Sequence, residues 1–238
     1  MAQAASPYAV LAIGAHAADA EFSAGMVLAR YAAEGHPTTI LHLTLGEKGH
    51  RALSPVEYGA QKRGEAERAA EALGCRARFL DYPDAELPED DAVKLAVADV
   101  IREVRPRVLI THWRGSFHRD HRRTHDVVVD ARFFAGLRTI ERERPAWYAG
   151  HLLFAENWED MDGYRPDVYV DTTASFDRWL SACEAYEIFR DPAAGGFRYR
   201  EYYTALATMR GCLARFRYAA TLMRPDGDLV ARSGALPG

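Results

Sequence analysis

Short apolar and β-branched runs alternate along this chain with stretches whose apolar positions recur every three or four residues. Residues 8–15 (YAVLAIGA) have the continuous apolar character of a buried strand. Residues 20–34 follow as a helix, with Phe22, Met26, Ala29 and Ala33 on one face and Gly35 as its stop. Residues 38–44 (TTILHLT) read as a second strand and 45–55 as a Gly-containing loop. Residues 56–73 read as a long helix rich in Ala, Glu and Arg, closed by Gly74. A third strand at 77–80, a loop at 82–88, a helix at 89–104 and a fourth strand at 107–111 (RVLIT) come next. A loop at 112–119 then leads into a helix at 120–135.

Beyond residue 150 the pattern weakens. Residues 151–155 and 167–170 suit strands, 174–190 and 201–223 suit helices, and 191–200 form a turn-rich loop. Strand and helix in alternation with short connections predict a single α/β domain, with a Rossmann-like, mostly parallel sheet covered on both faces. The core is expected over 7–190, a C-terminal helical part over 191–225 and a frayed tail over 226–238. No internal repeat or linker divides the 238 residues.

Ligands of such sheets bind beyond the carboxyl ends of the strands. His16 follows the first strand, Glu47 and Lys48 the second, Asp81 and Asp84 the third, and a His-rich cluster the fourth. The topology therefore brings these polar groups to one rim.

With 48% hydrophobic residues, the chain can bury one large core. A net charge of -4 argues against nucleic acid or an anionic membrane as partner, and no apolar run approaches the ~20 residues that span a bilayer. The first residues carry no basic segment before residues 8–15, so no secretory leader is expected. Cys75, Cys183 and Cys212 lie far apart without CxxC spacing, as separate thiols of a reducing cytoplasm would. Residues 138–144 (RTIERER) mix charge signs and read as a solvated face.

Two clusters carry chemistry: His16-Ala17-Ala18-Asp19 and His118-Arg119-Asp120-His121. Taken alone, His16 and Asp19 could be a loop histidine and a helix cap. His118 and His121, three apart at a helix start, share a face, and Asp120 can orient an imidazole. Two such clusters at the same end of one sheet suggest an open catalytic metal site of imidazoles and a carboxylate. Zn2+ suits that set best, and Fe2+ or Mn2+ also bind His and carboxylate donors. Gly14 stands alone after the first strand without GxGxxG, which argues against a dinucleotide site.

The runs AIGAHAADAEFSAGMVLARYAAEGH, TILHLTLGEKG, RPRVLITHW and HRDH resemble the LmbE/PIG-L family of zinc-dependent N-acetylglucosaminyl deacetylases. The resemblance covers residues 7–135 well and the rest loosely. It implies His16, Asp19 and His121 as zinc ligands, His118 as the group stabilising the tetrahedral intermediate, and Asp120 as its tuner. It also implies a small-molecule substrate, an N-acylated amino sugar conjugate, and a possible homo-oligomer.

One departure falls at the centre of the mechanism. The family's His-Pro-Asp-Asp reads His-Ala-Ala-Asp here, and Ala18 replaces the family's general base. A positioned acid or base is worth ~10²–10⁴-fold, so the expectation is slow or altered hydrolysis. The alternative is a catalytically impaired protein that keeps the pocket to bind metal and sugar. His118 and Glu47 are candidate replacement bases, and Glu21 lies within sequence reach.

Arg63 occupies a helix where the family often keeps an arginine near substrate. Asp84 resembles a family aspartate that touches sugar hydroxyls. Lys48 and Arg114, on rim loops, could meet an anionic substrate group. His112 could support the site from behind, whereas His42 suits a core position. The Met209-Arg210-Gly211 run matches the family's tail, but residues 214–220 lack its later glycine and acid. The substrate is therefore expected to differ from a simple N-acetylglucosamine conjugate.

Overall fold

The computed structural model describes residues 6–225; the tail expected at 226–238 lies outside them. The chain begins with β1 (Ala9–Gly14), α1 (Asp19–Ser23), α2 (Gly25–Ala33), β2 (Thr38–Thr44) and α3 (Pro55–Leu73). It continues through β3 (Arg76–Tyr82), α4 (Asp91–Val104), β4 (Pro106–His112), α5 (Arg119–Gly136) and β5 (His151–Ala155). The last part holds β6 (Val168–Asp171), α6 (Phe176–Cys183), α7 (Glu187–Arg190), α8 (Pro192–Gly195), α9 (Tyr199–Ala214) and β7 (Ala219–Met223).

The strands form one sheet in the order β3-β2-β1-β4-β5-β7-β6. The first five run parallel, and β7 pairs antiparallel with both β5 and β6. Both faces are covered, as the apolar strands require. Val10 and Ala12 pack into one core layer, Leu11 and Ile13 into the other, following the two-residue strand period. Helices α4 and α5 cover one face; α1, α2, α3, α6 and α9 cover the other.

Helix α3 shows how locally the sequence dictates structure. Ser54 caps it by accepting from the Glu57 amide while Glu57 reaches back, Pro55 starts it, and Gly74 ends it at φ 80°. The sequence-based elements need correction in four places, one of them the loop expected over 191–200, where Pro192–Gly195 form α8 and α9 already begins at Tyr199. Residues 20–34 form two helices, because the chain breaks at Ser23–Ala24 and Gly25 abuts Trp179, whose Cδ1 would lie 2.9 Å from a Cβ there. Residues 174–190 also divide, into α6 and α7. The helix expected to Met223 ends at Ala214, where Arg215 turns left-handed at φ 62°, and residues 219–223 form a strand.

Candidate active site

The carboxyl ends of β1 to β5 meet on one rim, and order reverses between β1 and β4, where crevices form in such sheets. After β1 the chain makes a tight turn. The His16 amide donates to Asp19 Oδ2 at 2.8 Å, and the Asp19 amide to the His16 carbonyl at 3.3 Å. The turn is closed by Ala18 at φ 104°, a left-handed conformation costly for alanine. Gly46, after β2 at φ 72°, lies so close that a Cβ would stand 3.2 Å from that of His16.

Three donor atoms from the two clusters form a triangle. His16 Nδ1 is 3.1 Å from Asp19 Oδ2, His121 Nε2 is 3.2 Å from the same oxygen, and the two nitrogens are 3.3 Å apart. Each imidazole is backed by carboxylates on its other nitrogen. Asp84 Oδ1 and Asp120 Oδ2 lie 3.2 and 3.6 Å from His16 Nε2, and Glu159 Oε2 lies 2.7 Å from His121 Nδ1. These are ionic contacts rather than hydrogen bonds, since His16 Nε2 and Glu159 Oε2 have no hydrogen-bond partner among the described residues, and the carboxylates hold the rings by charge.

The electrostatics match. Burial alone would lower the His16 imidazole, but Asp19 beside it and contacts with Asp120 and Asp84 hold its pKa well above the usual value. Burial opposes, and Asp19 and Glu159 outweigh it, so His121 rises to about 9. Asp19 is held well below the carboxylate range by His121 and His16, against the effect of burial. The cluster thus demands positive charge at its centre. Buried Asp120 Oδ1 also lacks a hydrogen-bond partner among the described residues.

Three further histidines, two of them beside the cluster, take other roles. His112 Nε2 accepts the Ala15 amide at 3.0 Å and stands 3.3 Å from Asp19 Oδ2, and its ring stacks on His121 at 4.0 Å; burial and His121 lower its pKa to about 4. His42 is fully buried against Glu21 and stacked on Phe79, the core position expected. His118 caps α5 by accepting the Asp120 amide on Nδ1 at 3.2 Å. When neutral it therefore carries its proton on Nε2. Burial and the neighbouring His16 and His121 hold it below its usual pKa.

A cavity of about 190 Å³ borders this cluster, with Ala18, Lys62, Asp84, His118, Trp158 and Tyr199 among its walls. The structure brings together His16, Asp19, Asp84, His118, Asp120 and His121. It does not bring Arg63, Lys48 or Arg114 to this cavity. Arg63 pairs with Asp81 and stacks on Phe79, because it lies one step off the buried stripe of α3. Lys48 reaches outward to Glu86; only its amide points inward, to Asp84 at 3.0 Å. Arg114 lies over Trp113 on a separate, larger cavity of about 950 Å³. Asp120 is also placed differently from its expected role: its carboxylate accepts the Ala85 amide and faces His16 rather than orienting His118.

Two functional candidates escaped sequence reasoning. Glu159 follows β5, so extending the strand-end argument by one strand finds it. Lys62 interrupts the buried stripe of Tyr58, Ala66, Ala69 and Leu73 on α3, which helical phase alone could have revealed.

Residues 11–132 match the PIG-L family, described as GlcNAc-PI de-N-acetylase. A 4-oxalmesaconate hydratase of Pseudomonas putida is 28% identical over 227 residues, covering 90% of this chain and 84% of its own length. A 1D-myo-inositol 2-acetamido-2-deoxy-alpha-D-glucopyranoside deacetylase of Geodermatophilus obscurus is 35% identical over 155 residues, covering 51% of this chain; the chain spans about half that relative's length (52%). The fold is also that of N,N'-diacetylchitobiose deacetylase from Pyrococcus horikoshii, with a TM-score of 0.81 at 21% identity over 94% of this chain and 90% of that one. With the family match covering half the sequence and the strand-end cluster it contains, the chain belongs to the PIG-L (LmbE) family.

Proposed function

We propose that this protein is a metal-dependent hydrolase that releases an amine from an N-acyl group, with an N-acetylated amino sugar or its conjugate as substrate class. The observation that carries the proposal is the donor triangle of His16 Nδ1, Asp19 Oδ2 and His121 Nε2 beside a cavity. Tetrahedral coordination at ~2.0–2.1 Å separates neighbouring donors by about 3.3 Å, so these residues fit a zinc ion. Iron or manganese would suit the same donors. A divalent cation held there would polarise the acyl oxygen and lower the pKa of water.

The chain's own groups do the rest. His118, neutral and with its proton on Nε2, donates to the acyl oxygen as charge develops there. Asp84 and Asp120 fix the His16 ring, and Glu159 fixes that of His121. Asp84 also borders the cavity and can meet substrate hydroxyls. Ala18 contributes no proton acceptor, so any acid–base help, ordinarily worth ~10²–10⁴-fold, has to come from another group. Asp and Asn tolerate left-handed backbone better than alanine, so Ala18→Asp fits the local conformation.

The test is elemental analysis of the purified or zinc-loaded protein, paired with amine release from N-acetylglucosamine conjugates. One metal per chain and amine release, from the parent or from Ala18→Asp, support the proposal. Failure to hold metal overturns it. Metal and sugar binding without amine release, in both parent and Ala18→Asp, assigns the chain to binding alone.

The hydratase relative, matched over 90% of this chain, favours a second reading: water added across a carbon–carbon double bond at the same site. Water consumption by an unsaturated acid, with no amine release from acetylated sugars, would select it.

A further inference from the structure

Lys62 is a cation in a place where cations are expensive. It is 3% exposed on α3 and lines the same cavity as Ala18, His16 and Asp19. Among the described residues no carboxylate oxygen lies within 4.0 Å of its Nζ and no hydrogen bond leaves it, whereas Lys48 pairs with Glu86 and Lys94 with Asp130. These are the three lysines of the chain. The Lys62 Nζ sits 4.8 Å from the centre of the Tyr186 ring and 5.9 Å from that of Tyr58. Both ring faces lie within the range that attracts an ammonium, but neither can accept its proton. An ammonium with no carboxylate or hydrogen-bond acceptor in so buried a place is disfavoured, and is relieved by losing its proton or meeting a ligand.

The other titratable groups around the cavity are unsuited to receive a proton from water. His118 has its lone-pair nitrogen on the Asp120 amide. Asp84 and Glu159 are held against His16 and His121. Tyr58, Tyr199 and Tyr203 are all pushed upward by burial, Tyr58 to about 12, and stay protonated. Glu47 accepts the Asp84 amide at 2.8 Å and is not a wall of the cavity, and Glu21 is buried with His42 and Tyr186.

We propose that Lys62 carries the proton between water and the leaving amine, the role that Ala18 cannot fill. This inference rests on the hydrolytic reading above. The neutral amine of Lys62 takes a proton from water as the oxygen bonds to the acyl carbon. The resulting ammonium gives that proton to the amide nitrogen as the carbon–nitrogen bond breaks. The acid and the amine leave, and Lys62 is again neutral. The groups facing it are consistent with access to the neutral form. Burial lowers its pKa, the charges of Glu65 on its own helix, Asp19 and Glu21 from α1 and Asp84 after β3 oppose, and the net direction is downward. Tyr58 and Tyr186, both protonated, add no charge.

The experiment compares zinc-loaded parent, Lys62→Met, Lys62→Arg, Ala18→Asp and the double variant Ala18→Asp/Lys62→Met. Amine release from a panel of N-acetylated amino sugars and their conjugates is followed against pH. Both single lysine variants are expected to lose ~10²–10⁴-fold in kcat with little change in KM. The parent's rate should rise with pH as Lys62 deprotonates, and that limb should vanish in Lys62→Arg. Ala18→Asp should restore turnover in the absence of Lys62. Lys62→Arg with parental turnover overturns the proposal, since fixed charge would then suffice. Zinc content reports that each variant folds, with Lys62→Gln replacing any variant that fails to hold the ion. A 15N titration of the lysine side chains in zinc-loaded parent reads Lys62 independently of substrate: a value below the ordinary 10.5 is expected, and one at or above it overturns the inference. No amine from either parent or Ala18→Asp overturns the hydrolytic reading instead, which separates the two failures.

Discussion

At the scale of single residues, the site is two imidazoles and a carboxylate whose backs are fixed by further carboxylates. Glu159 is 8% exposed and 2.7 Å from His121 Nδ1, so its charge adds to that of Asp19 in holding the ring and raising its basicity. Glu159→Gln is expected to weaken zinc binding 10–100-fold without loss of fold, measured by competition with a chelating dye. A neighbouring acid gives a different signal. Burial raises the Asp160 carboxyl to about 7, helped by Glu156 and Glu159 and opposed by the Asn157 amide and His121. Its proton is bound more tightly in the folded chain than in the unfolded one, so the folded state is favoured below about pH 4. That advantage is lost as pH rises toward and through 7. Asp160→Asn should flatten this part of the stability profile and make the protein more stable than the parent above pH 7, as chemical denaturation at a series of pH values would report. His16, Asp19, His118 and His121 were legible because they cluster in sequence. Lys62 was not: Arg63 looks equally placed in the linear chain, and only the 100° step around α3 turns one inward and the other onto Phe79.

At the scale of elements, apolar runs located the parallel strands well because a buried strand is continuous in sequence. The C-terminal strand was missed for a physical reason. Ala219, Ala220, Leu222 and Met223 are good helix formers, and β7 exists because β5 and β6 offer it hydrogen-bonding edges on both sides. The break between α1 and α2 likewise answers a distant contact, Gly25 against Trp179. Arg102 shows another long-range device. It is 2% exposed and donates to the carbonyls of Phe134, Ala135 and Leu137 at the end of α5, and to those of Ile140 and Arg144 beyond it. One α4 side chain thus satisfies the end of α5 and the loop that follows. Replacement by Met leaves several of these acceptors without a donor, at ~1–3 kcal/mol for each that water cannot reach. A loss of at least about 3 kcal/mol in urea denaturation is the expected result, with zinc affinity little changed.

At the scale of the whole molecule, the candidate site follows from strand order. The proposed ligands, separated by about a hundred residues, meet because β1 and β4 are neighbours, and the loops after β3 and β5 deliver Asp84 and Glu159 to the same rim. Among the described residues no helix is long and apolar enough to cross a membrane. The fold and the rim were legible from alternation alone; the wall containing Lys62 and Tyr199 needed the packing of α3, α7 and α9 across the opposite face. The central claim is that one cation sits where His16, Asp19 and His121 converge. A crystal structure of the zinc-loaded protein, with anomalous data at the zinc edge, tests it most directly. The account predicts one strong peak per chain, about 2.0–2.2 Å from His16 Nδ1, Asp19 Oδ2 and His121 Nε2. A peak coordinated by other residues, or none at saturating zinc, would contradict it.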